Sequence, residues 1–379
     1  MFGGLGEHVV ALTRQQVLLG HEVVVITQQS EPAVSGDEII EGVRVIRVHN
    51  EYPSVPFNQD HLDQWAHGFA LASNAAADRL AHDWIPDISH AHDWLGATQA
   101  HVFAVRHHVP LVVTFHATEF GRHQGWLASR ISRVIHAREI TAARYASRIV
   151  VCSSYMQGEL VNGLGVNQRK IRIVANGVSR ASIGTSGQIP QDDSVNSTFV
   201  IGFLGRLEWE KGVHHVIDSL KFLPTSDFRV EIIGSGSQLR SLQEKVDRNN
   251  LTDRVRFHGF VTAQEKQELL SNFDVLVVPS SYEPFGIVAL EGAARGIPLI
   301  IGRTGGLVDI VPDDSFGYPL DDINGSKIAQ QVQLIVEDAV EARKRSARLL
   351  DRLQTEFTWE VIARSTDLVY SEALDASVG

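Results

Sequence analysis

Short apolar runs of strand length alternate with helix-length patterns along nearly the whole chain, and no other feature limits the fold so tightly. The runs fall at 22–27, 43–48, 88–90, 111–115, 149–152 and 171–174, then in a second series at 199–204, 229–233, 255–257, 275–279 and 298–302. Helical patterns lie between them, as at 7–19, 60–81 and 212–220. A strand that is apolar on both faces must be covered on both, which a parallel sheet flanked by helices achieves. Two series therefore predict an α/β chain of two doubly wound, Rossmann-like domains. The 379 residues exceed one ordinary core and suit two domains of about 150–200 each. The N-terminal domain is expected over 1–178 and the C-terminal over 199–358. Residues 179–198 are rich in Ser, Gly, Gln and Asp without an apolar period, the pattern of a linker or surface excursion. The last helices are expected at 327–357 and 359–374. Ligands of open α/β sheets sit at the carboxyl ends of the strands, so the chemistry is sought there, in a cleft where the two domains face each other.

The chain opens on Met1-Phe2-Gly3-Gly4-Leu5-Gly6, a glycine turn running straight into a helix. Such a turn normally follows a strand, and no residues precede it to form one. A central strand of about six buried residues contributes on the order of 10 kcal/mol gross, at roughly 1.5–3 per side chain. That is comparable with the net stability of a domain. Either the true start lies upstream or the N-terminal domain is weakened.

Composition closes off several classes of function. With 44% hydrophobic and 21% charged residues the chain reads as a soluble globular protein. Cys152 is the only cysteine, which rules out an intrachain disulfide and suits a reducing cytosol. No apolar run reaches the length of a membrane span, and the N-terminus lacks a signal-peptide pattern, so a cytoplasmic location is expected. The net charge of −11 argues against nucleic acid, and Arg122, Arg130, Arg133, Arg138 and Arg144 read as a solvated helix face. Seventeen histidines include His107–His108 and His214–His215, which have no metal-ligand company in sequence. No metal is expected.

The strongest constellation spans 280–291. A strand ends at Pro279, a loop carries Glu283, and Pro284 is placed to start a helix, as proline prefers. Amides at Phe285, Gly286 and Ile287 would then face an anion, favoured by the helix dipole, while Gly286 permits close approach. Glu291 would lie about 10–12 Å from Glu283 at 1.5 Å per helical residue. A nucleoside diphosphate-sugar has hydroxyls on both sides of an anionic centre across a similar span. Glu291 also sits among Val288, Ala289, Leu290, Ala293 and Ala294, where a lone carboxylate is costly. Just after the strand at 199–204, Arg206 and Lys211 form a candidate anion clamp, the guanidinium as a fork and the ammonium as a point charge. Salt bridges to Glu208 or Glu210 are the plainer reading of the same cations.

In the first domain, His116 ends the strand at 111–115, and His92, Asp93 and Trp94 end the strand before it. His92 with Asp93 looks like half a metal site without a third ligand close by, which leaves sugar hydroxyls as the better partner. Trp94 and Trp126 could stack on pyranose faces, although tryptophans are more often core. Gly3 and Gly4 could donate amides to a pyrophosphate. No nucleophile elbow, Walker loop or His-Glu-x-x-His motif occurs.

Together Gly3-Gly4-Leu5-Gly6, His116, Asn176-Gly177-Val178, Gly205-Arg206 with Lys211-Gly212, and Glu283-x7-Glu291 resemble the family 4 retaining glycosyltransferases of the two-domain GT-B fold. The resemblance covers the chain except for the absent first strand. His92-Asp93-Trp94-Leu95, residues 114–119 with 121–123, Gly125-Trp126 and residues 206–214 are similar to the actinobacterial glycogen-synthase-like enzymes that extend α-1,4-glucans. The resemblance implies Arg206 and Lys211 on the donor phosphates, Glu283 on the donor sugar and Glu291 on the ribose. It also implies His116 near the reacting carbon and Asp93 on the acceptor side. It implies a UDP-glucose or ADP-glucose donor, a glucan or other carbohydrate acceptor, and no divalent metal. Residues 357–360 look like the family's crossover, where the last helix returns to the first domain, and domain closure would align the parts. Rival readings are an inactive or binding-only homologue, given the absent strand, and a transferase acting on a small or lipid-linked acceptor. A phosphorylase would need a pyridoxal-bearing lysine, for which no site is recognisable. A dinucleotide dehydrogenase would need a different glycine pattern.

Overall fold

The computed structural model describes residues 4–29, 36–184, 198–224 and 227–378. Gly3 and residues 185–197 of the expected linker lie outside them. The chain divides into two compact units, unit 1 being Met1–Asn176 with Trp359–Gly379 and unit 2 Gly177–Thr358. No helix among the described residues is long and apolar enough to cross a membrane.

Unit 1 carries β1 (Val24–Gln28), β2 (Asp37–Ile40), β3 (Val43–Val48), β4 (Ser89–His92), β5 (Leu111–Phe115), β6 (Arg148–Val151) and β7 (Ile171–Ile173). The sequence predicts one doubly wound sheet here, but the strands form two. One has the order β1-β3-β2 and the other β4-β5-β6-β7. β5 is buried at every residue, whereas β1 is only half-buried along its length. Among the described residues no strand pairing joins these two sheets. β2, absent from the sequence reading, pairs antiparallel with β3. Its Asp-Glu-Ile-Ile is too short and polar to register as an apolar run. The helix Trp359–Val378 covers β5 and β6 and packs on the opening helix Gly4–Leu18, where the Gln16 amide donates to the Tyr370 hydroxyl at 2.7 Å.

Unit 2 carries β8 (Phe199–Leu204), β9 (Phe228–Ile233), β10 (Val255–Gly259), β11 (Val275–Val278), β12 (Leu299–Gly302) and β13 (Tyr318–Leu320). Its sheet has the order β10-β9-β8-β11-β12-β13, every pair parallel. The chain winds outward from β8 to β10, then crosses to β11 and winds the other way. The reversal between β8 and β11 is the topological switch point, where the loops at the carboxyl ends diverge and leave a crevice. All four residues of β11 are buried. At about 1.5–3 kcal/mol per buried side chain, they anchor the loop that follows. β13 escaped the sequence reading because Pro319 breaks the apolar run.

Two helix expectations need correction. The helix after β11 is Ile287–Ala293, so Pro284 lies in the loop and Gly286 is the N-cap, at φ +111°. Helical rise therefore accounts for only about 6 Å of the path from Glu283 to Glu291. The single helix expected at 327–357 is two, Gly325–Glu337 and Ala339–Glu356. Asp338, at φ −129°, breaks them and caps the second by accepting from the Glu341 amide.

Candidate active site

β8 and β11 are neighbours, so residues 205–211 and 279–286 emerge side by side at the switch point of unit 2. A backbone bond from the Ser281 amide to the Glu210 carbonyl, 2.8 Å, ties the two loops. Gly212 has φ +69°, and a Cβ there would stand 2.2 Å from the Pro279 carbonyl oxygen. Only glycine lets the chain turn into its helix that close to the neighbouring loop. Lys211 Nζ donates to Glu283 Oε2 at 2.7 Å, with both side chains mostly buried, and Ser280 Oγ donates to the same oxygen at 3.2 Å. Arg206 lies largely in solvent and pairs with Glu210 at 3.3 Å. At the other end of the segment Lys266, on the helix Ala263–Leu270, donates to Glu291 Oε1 at 2.7 Å. Each carboxylate of the pair 283/291 is thus matched by a lysine, and both cations stand where an anion could draw them.

The Glu283 loop is held from beneath. The Gly306 amide donates to the Glu283 carbonyl at 2.9 Å, and a Cβ on Gly305, at φ +58°, would fall 1.9 Å from that oxygen. Gly305→Ala is therefore expected to push the loop out of place. Its cost is roughly 1–3 kcal/mol for the backbone conformation alone, with turnover lost beyond that. Thermal unfolding and steady-state rates on the same preparation check this, and a variant of normal stability and rate would contradict it.

In unit 1, β4 and β5 are also neighbours and deliver His92, Asp93 and His116 to one edge. Asp93 adopts φ +54°, a left-handed conformation that costs a non-glycine residue energy. The turn that results lets Asp93 Oδ1 accept from the His116 amide at 2.8 Å. Burial lifts the Asp93 carboxyl to about 6, against the lowering effect of the His116 and Ala117 amides and of Arg122. His92 Nδ1 and His116 Nε2 are 3.0 Å apart. His8, from the opening helix, packs edge-on against both rings, and its Nδ1–H donates to Asn176 Oδ1 at 2.7 Å. His90 stacks on His92 and is held by the Tyr370 and Thr114 hydroxyls. Burial without a countercharge keeps these rings neutral, lowering His8 and His90 to about 3 and His116 to about 4.

The comparisons meet this geometry. A family model described as Glycosyltransferase Family 4 matches residues 2–181, and one described as Glycosyl transferases group 1 matches 188–348. A glycogen synthase of Mycobacterium tuberculosis is 34% identical over 385 residues, covering 98% of this chain and 92% of the relative. The chain is a family 4 glycosyltransferase. Among solved structures, sucrose-phosphate synthase from Thermosynechococcus elongatus superposes with a TM-score of 0.83 at 22% identity, over 99% of this chain and 94% of the other. The catalytic domain of starch synthase IV from Arabidopsis thaliana, bound to ADP and acarbose, gives 0.72 at 18%, over 99% and 97%. The fold is GT-B, and the enzyme transfers a glycosyl group from a nucleotide sugar.

Against that family, several sequence expectations change. Trp94 is buried with Ala66 and Ile135 in a core cluster, so it has no face for a pyranose. Trp126 is exposed. Gly4 begins the opening helix, whereas Gly3 falls outside the described residues. His92 groups with His116 and with His8, more than eighty residues away in sequence, and Asp93 is not part of that set. Residues that sequence reasoning missed in this glycosyltransferase are the supports. Glu139 accepts from the Glu119 amide at 2.8 Å, and Glu159 accepts from the Thr118 hydroxyl, so both brace the turn after His116. Burial raises both carboxyls, Glu139 to about 8. Their only sequence signal was a carboxylate amid helical apolar positions. Lys266 had a better one, lying just after the capping box of Thr262 and Glu265 at the end of β10.

Proposed function

We propose that this glycosyltransferase moves glucose, with retention of the α configuration, from UDP-glucose or ADP-glucose to an α-1,4-glucan or related acceptor. The observation that carries the donor half is the pair Lys211–Glu283 at the switch point of unit 2, beside Gly286. In the free enzyme each charge neutralises the other. When the donor enters, the Lys211 ammonium turns to the diphosphate and Glu283 is released to accept from sugar hydroxyls. Arg206 adds a fork of donors to the phosphates. The dipole of the helix that begins after Gly286 favours the same anion. As the glycosyl bond breaks, the negative charge growing on the diphosphate is met by donors already in place, which is the electrostatic source of the acceleration. No divalent metal is needed for that. Glu291, with Lys266 beside it, is assigned to the ribose.

In unit 1 the neutral His116 offers one nitrogen to a sugar hydroxyl. Asp93 holds the turn that carries it through two backbone amides and is too committed to act as a covalent nucleophile. The acceptor hydroxyl therefore attacks from the face that the diphosphate leaves, which gives retention without a glycosyl-enzyme. The glucan acceptor draws support from the identity with the mycobacterial glycogen synthase. Incubation with UDP-glucose or ADP-glucose and a maltooligosaccharide, in the presence of a chelator, is expected to lengthen the oligosaccharide by single glucose units. Release of free glucose alone, or extension that stops in chelator, would overturn the proposal.

A further inference from the structure

We propose that His8, His92 and His116 form a binding site for a late first-row divalent cation of the zinc type, and that its occupancy switches the enzyme off. The three rings offer ligand nitrogens that all lie within 4.8 Å of one another. They come from three elements of unit 1: the opening helix, the end of β4 and the end of β5. Imidazole nitrogens suit zinc, copper, nickel and cobalt, and structural or catalytic zinc takes them at about 2.0–2.1 Å. Two such ligands of a tetrahedral ion stand roughly 3.3 Å apart by that geometry. His92 Nδ1 and His116 Nε2, 3.0 Å apart, already span one edge. His8 is pre-oriented as the third ligand. Its Nδ1–H is held by Asn176 Oδ1, which leaves the Nε2 lone pair for a cation. An imidazole whose other nitrogen donates to a carbonyl-type oxygen is the usual second-sphere arrangement of a metal-binding histidine. Neutral rings are also what a cation requires, since a protonated imidazole cannot ligate. His90 stays out of the site, both its nitrogens being engaged by Tyr370 and Thr114.

The ion would replace the hydrogen bond between His92 and His116 and take the His116 nitrogen that faces it. The fourth position is left to water. The binding claim stands on the side-chain cluster alone, while the loss of activity rests on the role proposed for His116.

The test uses the untagged full chain, stripped with chelator. Titration with Co²⁺, followed by visible absorption, and with Zn²⁺ in competition with a chromophoric chelator is expected to show one ion held per chain. His8→Gln and His92→Gln should each weaken it at least tenfold. Asn176→Ala, which removes only the outer partner, should weaken it about 10–100-fold. His21→Gln, an exposed histidine paired with Asp367, should leave it unchanged. Zn²⁺ should raise the thermal midpoint of the parent chain and not that of His8→Gln, so the claim stays testable even where a variant folds poorly. Stoichiometric Zn²⁺ should abolish glucosyl transfer, and chelator should restore it. No bound ion at stoichiometric metal, or equal affinity in a folded His8→Gln, overturns the site. Binding that leaves transfer untouched overturns the switch. Transfer that is absent under every condition, with the ion still bound, counts against the proposed function instead.

Discussion

Arg206→Ala is expected to lower turnover by about 10²–10³-fold, the cost of removing one donor to the developing charge, while stability moves by less than about 0.5 kcal/mol. The separation follows from where the side chain lies. Arg206 is 70% exposed, and its bond to Glu210 is a surface pair four residues apart, worth a few tenths of a kcal/mol at most. Nothing in the free fold depends on it. Lys211 differs, because its removal would strand the Glu283 carboxylate, 15% exposed, without its countercharge. A broken pair of that kind costs up to about 3–5 kcal/mol when buried, so Lys211→Met should lose rate and stability together. Arg206→Lys keeps the charge and loses the fork, and should fall between parent and alanine. Steady-state rates beside urea unfolding decide the matter. An Arg206→Ala protein with unchanged turnover, or one whose rate falls only as its folded fraction falls, would sink the donor assignment.

The second large effect is acid sensitivity centred on the buried histidines of unit 1, beside a smaller one at the half-buried His214 of unit 2. His8 and His90, lowered to about 3, and His116, lowered to about 4, ionise near 6.5 when unfolded. The unfolded chain therefore binds more protons between those values, and stability falls as pH drops through 6.5 toward 4. By pH 5 each ring has lost about 2 kcal/mol, from 1.5 units at 1.36 each, or about 6 for the three. Asp93 and Glu139 act in the opposite sense. Their folded values, about 6 and about 8, lie above the unfolded ones, so their contribution grows as pH falls. Between pH 7 and 5 they return about 4 kcal/mol by the same conversion. The histidines win by about 2 kcal/mol; His92, also lowered by burial, adds to them, and Glu159, raised by burial, acts against them. Trp65, Trp84, Trp94, Trp126 and Trp359 lie in unit 1 and only Trp209 in unit 2. Tryptophan fluorescence thus reports mainly on unit 1, and its unfolding midpoint should drop several degrees from pH 7 to pH 5. A fluorescence midpoint that holds or rises would show that the acids, not the histidines, dominate.

Much of this molecule could be read from residue order because the relevant physics is local. An apolar run such as 275–278 can be satisfied only when covered on both faces, so parallel sheets followed from the pattern alone. The same holds for what stands at a strand's end: Arg206, Lys211, Glu283 and His116 were placed by counting from β8, β11 and β5. Turn chemistry was less legible. Pro284 fits a helix start, yet the helix waits for Gly286, which takes φ +111° where a Cβ would stand 2.5 Å from the Leu307 side chain. Partners distant in sequence were not legible at all. Lys211 meets Glu283 across 72 residues, and His8 meets Asn176 across 168. Trp94 has the composition of a sugar platform and the position of a core residue. Which lysine neutralises which carboxylate, and which rings converge on His116, depends on strand order, and strand order is settled only when the sheets assemble. By itself the sequence determined most of the elements, the loops that carry charge and the family. The tertiary structure alone decided how those charges are paired, because contact between residues far apart in the chain is a property of packing and not of pattern.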